Sequence, residues 1–272
     1  MVEIEIIAIG NELLLGDVLD TNSNWLCRKL TGLGGRMRRV VQVRDEQEAI
    51  AAEIQGALQR ETDLLLTTGG LGPTDDDLTL QAVALALGRP LVEHPEALAI
   101  VARRYGELAA LGHVSDAALT PARRKMAQLP AEGEPLFNPV GTAPPVLLRQ
   151  GKTVLVCLPG VPAELKGIFE GPLTPLLQGL FGATSYAEWA AITDCGDESR
   201  LAPLLRRVVA GHRDVYVKSR AQHYGSGVKL RVTLSRAGSS ADEVQAGLQA
   251  ALADLQSTLA EAGIAVEKVE QG

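Results

Sequence analysis

Apolar residues along the first third of the chain follow two patterns in alternation, one typical of β-strands and one typical of helices. Runs with the alternation of a β-strand are each followed by a run with the spacing of an amphipathic helix. In chain order, the strand and helix predictions alternate over 3–10, 22–34, 36–43, 46–60, 63–69 and 76–88. This repeated order predicts an α/β fold, in which a mainly parallel sheet carries helices on both faces. Ligands of such sheets bind beyond the carboxyl ends of the strands.

The pattern changes in the second half of the chain. Residues 95–129 are predicted to continue as helix, and 146–158 as a hairpin. Strand patterns then occur over 186–193, 214–219 and 227–234, with helical patterns over 198–210 and 240–263. These segments predict a small α+β unit. We therefore expect a main domain over 1–181 and a second domain over 182–272, with the boundary near Gly182.

Composition narrows the class of protein. With 46% hydrophobic and 22% charged residues, the 272-residue chain has the make-up of a soluble globular protein. Its formal net charge of −7 argues against nonspecific nucleic-acid binding, which needs a basic surface. No apolar run approaches the roughly 20 residues that span a bilayer, and the three cysteines form no CxxC pair. We expect a cytoplasmic protein with no nucleic-acid or membrane partner.

The stretch TTGGLGPTDDDLT, residues 67–79, joins a predicted strand to a predicted helix. Its glycines allow several backbone N–H groups to approach one anion, and a helix N-terminus favours negative charge. The lysine and spacing of a Walker A loop are missing, as is the GxGxxG pattern. An ordinary tight turn before an acidic first helical turn accounts equally well for these letters. The stretch alone leaves both interpretations open.

Neighbouring carboxylates favour the phosphate interpretation. Glu12 lies at the end of the first predicted strand, and with the aspartates it would hold Mg²⁺, Mn²⁺ or Co²⁺ against phosphate oxygens. Two Gly/Pro-rich loops, NPVGTAPP (138–145) and LPGVPAE (158–164), are expected beside the same sheet, although each is also typical of ordinary loops. Lys166 is a candidate phosphate partner, but a solvated surface lysine is the commoner case.

Four motifs occur in the order and spacing of a known family. IGNELLLGDVLDTNSNWL, TTGGLGPTDDDLT, NPVGTAPP and LPGVPAELK resemble the CinA family (competence/damage-inducible protein A), over roughly residues 3–260. The first two motifs also resemble the wider molybdopterin-binding fold. The resemblance implies a three-layer α/β/α molybdopterin-binding-like domain. It also implies a small KH-like domain, whose start resembles GDESRLAPLL.

The same resemblance implies an activity and a site. The activity is metal-dependent hydrolysis of ADP-ribose to AMP and ribose 5-phosphate. Matching the motifs makes Glu12, Asp76 and Asp77 the expected catalytic and metal-binding residues. The expected substrate-binding residues are Asn22, Gly69, Gly70, Gly72, Thr74, Gly141, Pro159, Gly160 and Lys166. Asp75 stands where the family varies, so we expect the smallest role for it.

Three features depart from the family pattern or limit it. Many relatives have glycine where this chain has Pro145, which removes a backbone donor from the loop. The chain ends at Gly272, which leaves no room for the nicotinamide mononucleotide deamidase domain of full-length relatives, so we do not expect that activity. No GXXG loop occurs in 183–272, where HYGSGVK has a different spacing. We therefore expect the small domain to be structural or to form a homodimer.

The leading hypothesis from sequence is a metal-dependent pyrophosphatase acting on ADP-ribose or a related nucleoside diphosphate sugar. The first alternative is a molybdopterin-binding or adenylyltransferase-like protein of molybdenum-cofactor metabolism. The second alternative is a non-catalytic module that binds a nucleotide or pterin. All three predict a small-molecule partner bound beside the glycine loop.

Overall fold

A computed structural model describes residues 2–182, 185–224 and 227–271. The strands are β1 (Glu3–Ile9), β2 (Arg36–Val43), β3 (Leu64–Thr68), β4 (Leu91–Glu93), β5 (Gln128–Pro130), β6 (Glu134–Pro135), β7 (Val146–Gln150), β8 (Thr153–Leu158), β9 (Ser185–Thr193), β10 (Tyr216–Tyr224), β11 (Gly227–Gly238) and β12 (Val266–Gln271). The helices are α1 (Asn11–Leu15), α2 (Thr21–Gly32), α3 (Gln47–Gln59), α4 (Thr79–Leu87), α5 (Pro95–Ala110), α6 (Pro121–Lys125), α7 (Pro162–Glu170), α8 (Thr174–Phe181), α9 (Glu198–Gly211) and α10 (Ala241–Glu261). Among the described helices, none combines the length and the hydrophobicity needed to cross a membrane.

The first unit, which runs to Leu180, is built on a six-stranded sheet in the order β2-β1-β3-β8-β7-β6. Strand β1 pairs in parallel with β2 and β3, and β3 pairs in parallel with β8. Strands β7 and β6 join the sheet antiparallel. The predicted α/β class and the mainly parallel sheet are confirmed. The carboxyl ends of β1, β2, β3 and β8 consequently lie at one edge of the sheet.

Strands β3 and β8 are buried along their whole length, and β1 along nearly all of it. Ile7 and Leu65 face one side, where they join a core with residues of three helices, including Ile50, Val83 and Val101. Alternate residues such as Ile6 and Leu66 face the other side and are equally buried. Helices α2 and α7 meet through an edge-to-face contact of Trp25 with Phe169, at 5.1 Å between ring centroids. Helices on both faces give the expected three layers.

Two helix predictions were wrong in their bounds. Residues 95–129 do not form one helix, because α5 ends at Ala110 and the short α6 and strand β5 follow a loop. Pro121 begins α6 as its first helical residue, where a missing N–H costs nothing. The helix predicted over 76–88 begins only at Thr79, so Asp76 and Asp77 lie in the turn before it.

The second unit begins at Phe181, and Leu30–Gly34 group with it. Its sheet is antiparallel in the order β10-β11-β9-β12, and helices α9 and α10 share its apolar core. Strand β12, which pairs with β9, was not predicted from the sequence. Gly225 and Ser226, within the HYGSGVK stretch, lie outside the described residues. The α+β character is thus confirmed, while the KH-like and dimer-forming assignments and the two domain roles stay predictions.

Candidate functional site

A cleft of about 580 Å³ lies at the carboxyl ends of the parallel strands, within the size range of small-molecule sites. Its wall includes eight of the residues expected from sequence. These are Glu12, Gly69, Gly70, Gly72, Asp76, Asp77, Pro159 and Gly160. The motifs that follow β1, β3 and β8 therefore meet, as the rule for parallel sheets predicts.

The turn after β3 requires glycine at two positions. Gly69 has φ of +103° and Gly70 has φ of +67°, both in the left-handed region. A Cβ on Gly69 would lie 2.2 Å from the carbonyl oxygen of Ile9, and one on Gly70 would lie 2.3 Å from the Oγ1 of Thr79. The Thr79 hydroxyl donates to the Gly69 carbonyl at 2.7 Å and holds the turn closed. The paired glycines are thus needed by the backbone itself.

Three consecutive N–H groups of this turn are available to a ligand. Within the described part of the chain, no protein group accepts a hydrogen bond from the N–H groups of Gly70, Leu71 and Gly72. All three residues line the cleft. The neighbouring Gly69 differs, because its N–H donates to the carbonyl of Leu158 at 2.9 Å. Unpaired backbone donors at a concave surface form an anion-binding arrangement.

The aspartates after the turn have unequal surroundings. The Asp77 Oδ2 accepts a hydrogen bond from the Thr74 N–H at 2.9 Å, and a Cβ on Gly72 would lie 2.6 Å from that oxygen. The Thr74 hydroxyl lies 2.5 Å from carboxylate oxygens of both Asp76 and Asp77. That hydroxyl, the backbone N–H of Asp76 and the charge of Lys125 lower the pKa of Asp76. Both aspartates thus accept from Thr74, but only Asp77 also accepts from its backbone N–H and packs against Gly72, so Asp77 shapes the loop more than the exposed Asp76 does.

Asp45 is a cleft residue that was not predicted from the sequence. It follows β2, and its Oδ2 accepts a hydrogen bond from the Asn11 N–H at 2.8 Å. Its pKa is raised by burial and by the charges of Glu12, Asp76 and Asp77, against the lowering effect of the Asn11 hydrogen bond. The negative charges of Glu12, Asp76 and Asp77 are thus near enough to act on Asp45. Asp45 follows β2 as Glu12 follows β1, and this position beyond a parallel strand is the sequence signal that identifies it.

The carboxylates do not form a ready-made metal cage. Among the described residues, no group of three or more His, Cys, Asp or Glu side chains is close enough to hold a metal ion. Magnesium bound by one or two carboxylates together with ligand phosphates needs no such group. Burial, together with the charges of Glu12, Asp76 and Asp77, raises the pKa of Asp45, which fits a site that gains a cation with its ligand. The assignment of metal to Glu12, Asp76 and Asp77 stays a prediction.

Glu164, which lines the same cleft, is a second residue that was not predicted from the sequence. It lies in the first turn of α7, and its Oε2 accepts a hydrogen bond from the Nδ2 of Asn138 at 2.7 Å. Burial raises the pKa of Glu164, while the Asn138 hydrogen bond and the charge of Arg104 lower it, with a net rise. Arg104 donates to the carbonyls of Val140 and Gly141 at 2.7 and 2.8 Å and holds the neighbouring loop.

The remaining residues expected from sequence lie beside the cleft or away from its wall. The Nδ2 of Asn22 donates to the Gly160 carbonyl at 2.7 Å, so Asn22 supports a cleft loop and lines a smaller cavity next to it. Gly141 and Thr74 act through the contacts given above and do not line the cleft. Lys166 lies with its Nζ 5.9 Å from the ring centroid of Trp25, outside the cleft wall.

Pro145, the departure from the family pattern, does not line the cleft either. It is buried immediately before β7, and its carbonyl accepts from the Leu136 N–H at 2.7 Å. The lost backbone donor is therefore not one that faces the cleft.

Comparison with known proteins gives a consistent result. Residues 5–179 match a family described as probable molybdopterin binding domain. A protein of Aeropyrum pernix is 42% identical over 276 aligned residues, which cover 98% of this chain and 92% of that one. A protein of Pyrobaculum arsenaticum is 40% identical over 89% of each chain. The crystal structure of CinA from Thermoplasma acidophilum, described as a protein with unknown function, shares 34% identity. It has a TM-score of 0.58 and covers 64% of this chain and 98% of its own.

Proposed function

Because the chain belongs to the molybdopterin-binding-domain family and to its CinA branch, we propose that its cleft binds a pterin that carries a phosphate group, of the molybdopterin class. The observation that carries this proposal is the set of three unpartnered N–H groups at Gly70–Gly72, residues that line a cleft of ligand size. The family match favours this ligand over ADP-ribose, the substrate that the resemblance to the CinA family implied.

The phosphate of the ligand would lie against the glycine turn. The N–H groups there are fixed before binding, because the Thr79 hydroxyl holds the turn closed and Gly69 lies too near the Ile9 carbonyl to carry a side chain. Fixed donors lose little entropy when an anion arrives. The N-terminus of α7, where Val161 and Pro162 line the same cleft, adds the positive end of a helix dipole.

A divalent cation would accompany the phosphate. Glu12, Asp45, Asp76 and Asp77 are the residues that would hold it, since they line the wall beside the glycine turn. When bound, magnesium neutralises charge shared between these carboxylates and the phosphate oxygens. Without it, the carboxylates would repel the phosphate that the turn attracts. Binding is consequently expected to depend on the cation.

Retention of molybdopterin by the protein tests the proposal. Molybdopterin released anaerobically from a molybdoenzyme is mixed with the protein and Mg²⁺, and the pterin that passes through gel filtration with the protein is measured by fluorescence after oxidation. We expect stoichiometric retention that falls about tenfold with Asp76→Asn, from loss of one charged contact. Asp75→Asn is the matched control, because Asp75 is exposed and does not line the cleft. No retention with Mg²⁺ present would overturn the proposal.

A second candidate function is metal-dependent hydrolysis of ADP-ribose or a related nucleoside diphosphate sugar. The presence of four carboxylates on the cleft wall, Glu12, Asp45, Asp76 and Asp77, favours it, since diphosphate cleavage uses cations to offset charge. The glycine turn would bind one phosphate, and the carboxylates would orient the other with its cation. Incubation of ADP-ribose with the protein and Mg²⁺, Mn²⁺ or Co²⁺ should then release AMP. Asp76→Ala should abolish that release while Asp75→Ala preserves it, and no AMP with any of the three cations would eliminate this candidate.

A further inference from the structure

We infer that Glu164 is a specificity-determining residue, whose carboxylate accepts hydrogen bonds from the 2-amino-4-oxo edge of the ligand's heterocycle. The inference rests on the proposed function, in which the phosphate lies on the glycine turn. It adds the identity of the ring edge that Glu164 recognises in the same cleft. Such an edge, found in pterins and in guanine, presents a ring N–H and an amino group side by side. Both are donors.

The position of Glu164 supports this role. It lines the same cleft as the glycine turn and the four carboxylates, but it follows β8 and stands in the first turn of α7. Among the described residues, the hydrogen bond from Asn138 is the only one to its carboxyl group, and it uses Oε2. An ionised carboxyl group has about four acceptor sites and no donor. Glu164 therefore has acceptor capacity left for a ligand.

Asn138 fixes which atoms Glu164 can present. Its Nδ2 donates to the Ala143 carbonyl at 2.9 Å as well as to Glu164, and its Oδ1 accepts from the N–H groups of Val140 and Gly141 at 3.1 and 2.8 Å. Because the oxygen and the nitrogen of this buried amide both make hydrogen bonds, the amide cannot flip to exchange them. The atom of residue 164 that faces Asn138 must be an acceptor. A glutamine there would have to direct its amide NH₂ away from Asn138.

The loop beside Glu164 leaves room for its carboxyl group only because residue 141 is glycine. A Cβ on Gly141 would lie 2.0 Å from the Oε2 of Glu164, so any side chain at 141 would displace it. Arg104 holds the carbonyls of Val140 and Gly141, and its charge acts on Glu164. The carboxyl group is thus held in one place with a cation near it. A fixed acceptor discriminates between ligand edges, because a wrong edge leaves groups unpaired.

The preferred ring follows from the donors and acceptors of each edge. A 2-amino-4-oxo ring directs two N–H groups at an acceptor. Adenine directs one amino group and one ring nitrogen, and the lone pair of that nitrogen would face the carboxylate. Glu164 therefore favours a pterin or a guanine over an adenine. This preference also separates the pterin function from the ADP-ribose function.

Binding of three nucleotides tests the inference. Guanosine, inosine and adenosine 5′-monophosphate share the phosphate and ribose, and inosine differs from guanosine only in lacking the 2-amino group. With Mg²⁺ present, calorimetry on the wild-type protein should show guanosine monophosphate binding about tenfold tighter than inosine monophosphate, with adenosine monophosphate weakest. Glu164→Gln should remove the preference for guanosine monophosphate. It should also strengthen the binding of adenosine monophosphate, because the NH₂ group of the glutamine then faces the cleft.

The controls separate this inference from the proposed function. Glu170→Gln, an exposed change on the same helix, should leave all three affinities unchanged, and thermal unfolding should show that Glu164→Gln stays folded. If the wild type bound the guanosine and inosine nucleotides equally and Asp76→Asn weakened both, the role of Glu164 would be overturned while the phosphate site would stand. An equal loss of all three affinities in Glu164→Gln would also overturn the role of Glu164. Absence of binding by every nucleotide would contradict both the inference and the phosphate site beneath it.

Discussion

Two carboxylates near strands β1 and β2 have opposite environments. Glu5, within β1, is 2% exposed, and it receives hydrogen bonds from Arg60 at 2.9, 3.2 and 2.7 Å and from the Thr62 hydroxyl at 2.7 Å. Asp45, beyond the end of β2, receives one backbone hydrogen bond, and the charges acting on its pKa are the carboxylates Glu12, Asp76 and Asp77. The negative charge of Glu5 is compensated by a cation of the protein, and that of Asp45 is not.

The directions of the two pKa shifts express this difference. Burial raises the pKa of Glu5, but the hydrogen bonds from Arg60 and Thr62 and the charge of Arg60 outweigh it, and the net pKa is lowered. For Asp45, burial and like charges together raise the pKa above its ordinary value. A compensated carboxylate stabilises the fold. Uncompensated ones at the rim of a cleft are typical of a site that a ligand or cation completes.

Removing the partner of Glu5 should produce the largest loss of stability. Arg60→Met leaves a buried carboxylate without its cation, which costs about 3 kcal/mol of unfolding free energy. Urea denaturation at pH 7 measures this. Arg36→Met is the matched control, since Arg36 pairs with Glu3 at the surface and should change stability by less than about 1 kcal/mol. Equal effects of the two substitutions would show that Glu5 does not depend on Arg60.

Replacing Glu5 itself should give a smaller and pH-dependent loss. Because the folded-state pKa of Glu5 is lowered, its contribution is present above the unfolded value near 4.5 and disappears as the pH falls through the folded value. Glu5→Gln should therefore cost about 2 kcal/mol at pH 7. The difference from wild type should shrink progressively as urea denaturation is repeated at lower pH below 4.5. A difference that stays constant across this range would refute the linkage.

Neutralising Asp45 should have the smallest effect on stability and the opposite sign. Asp45→Asn keeps an acceptor for the Asn11 N–H but removes repulsion from Glu12, Asp76 and Asp77, so unfolding free energy at pH 7 and low salt should rise by up to about 1 kcal/mol. Added Mg²⁺ should raise the melting temperature of the wild type more than that of the variant. A destabilised Asp45→Asn protein would place Asp45 with Glu5 as a structural carboxylate.

The sequence predicted the parts of the site that depend on the chain nearby. Gly69 and Gly70 follow directly from a buried strand, and their left-handed backbone is a local requirement of the turn. Parallel pairing then determines which loops meet, so Glu12 and Gly160 could be placed beside them. The start of α4 at Thr79 was not predicted, since acidic residues before a helix resemble its first turn.

The rest depends on contacts between distant segments. Glu164 stood within a quoted motif, but its importance comes from Asn138 and Gly141, which the fold brings to it. Lys166 is two residues further along the same helix, where it turns to Trp25 and away from the cleft wall. No spacing rule separates these two residues without knowledge of which face of α7 meets the cleft.

A crystal structure with guanosine monophosphate and Mn²⁺ tests the central claim most directly, because it locates the phosphate, the cation and the ring in one measurement. We predict the phosphate on the N–H groups of Gly70–Gly72, an anomalous manganese peak among Glu12, Asp45, Asp76 and Asp77, and the 2-amino group on Glu164. A phosphate bound away from the glycine turn, with no manganese among these carboxylates, would contradict the account.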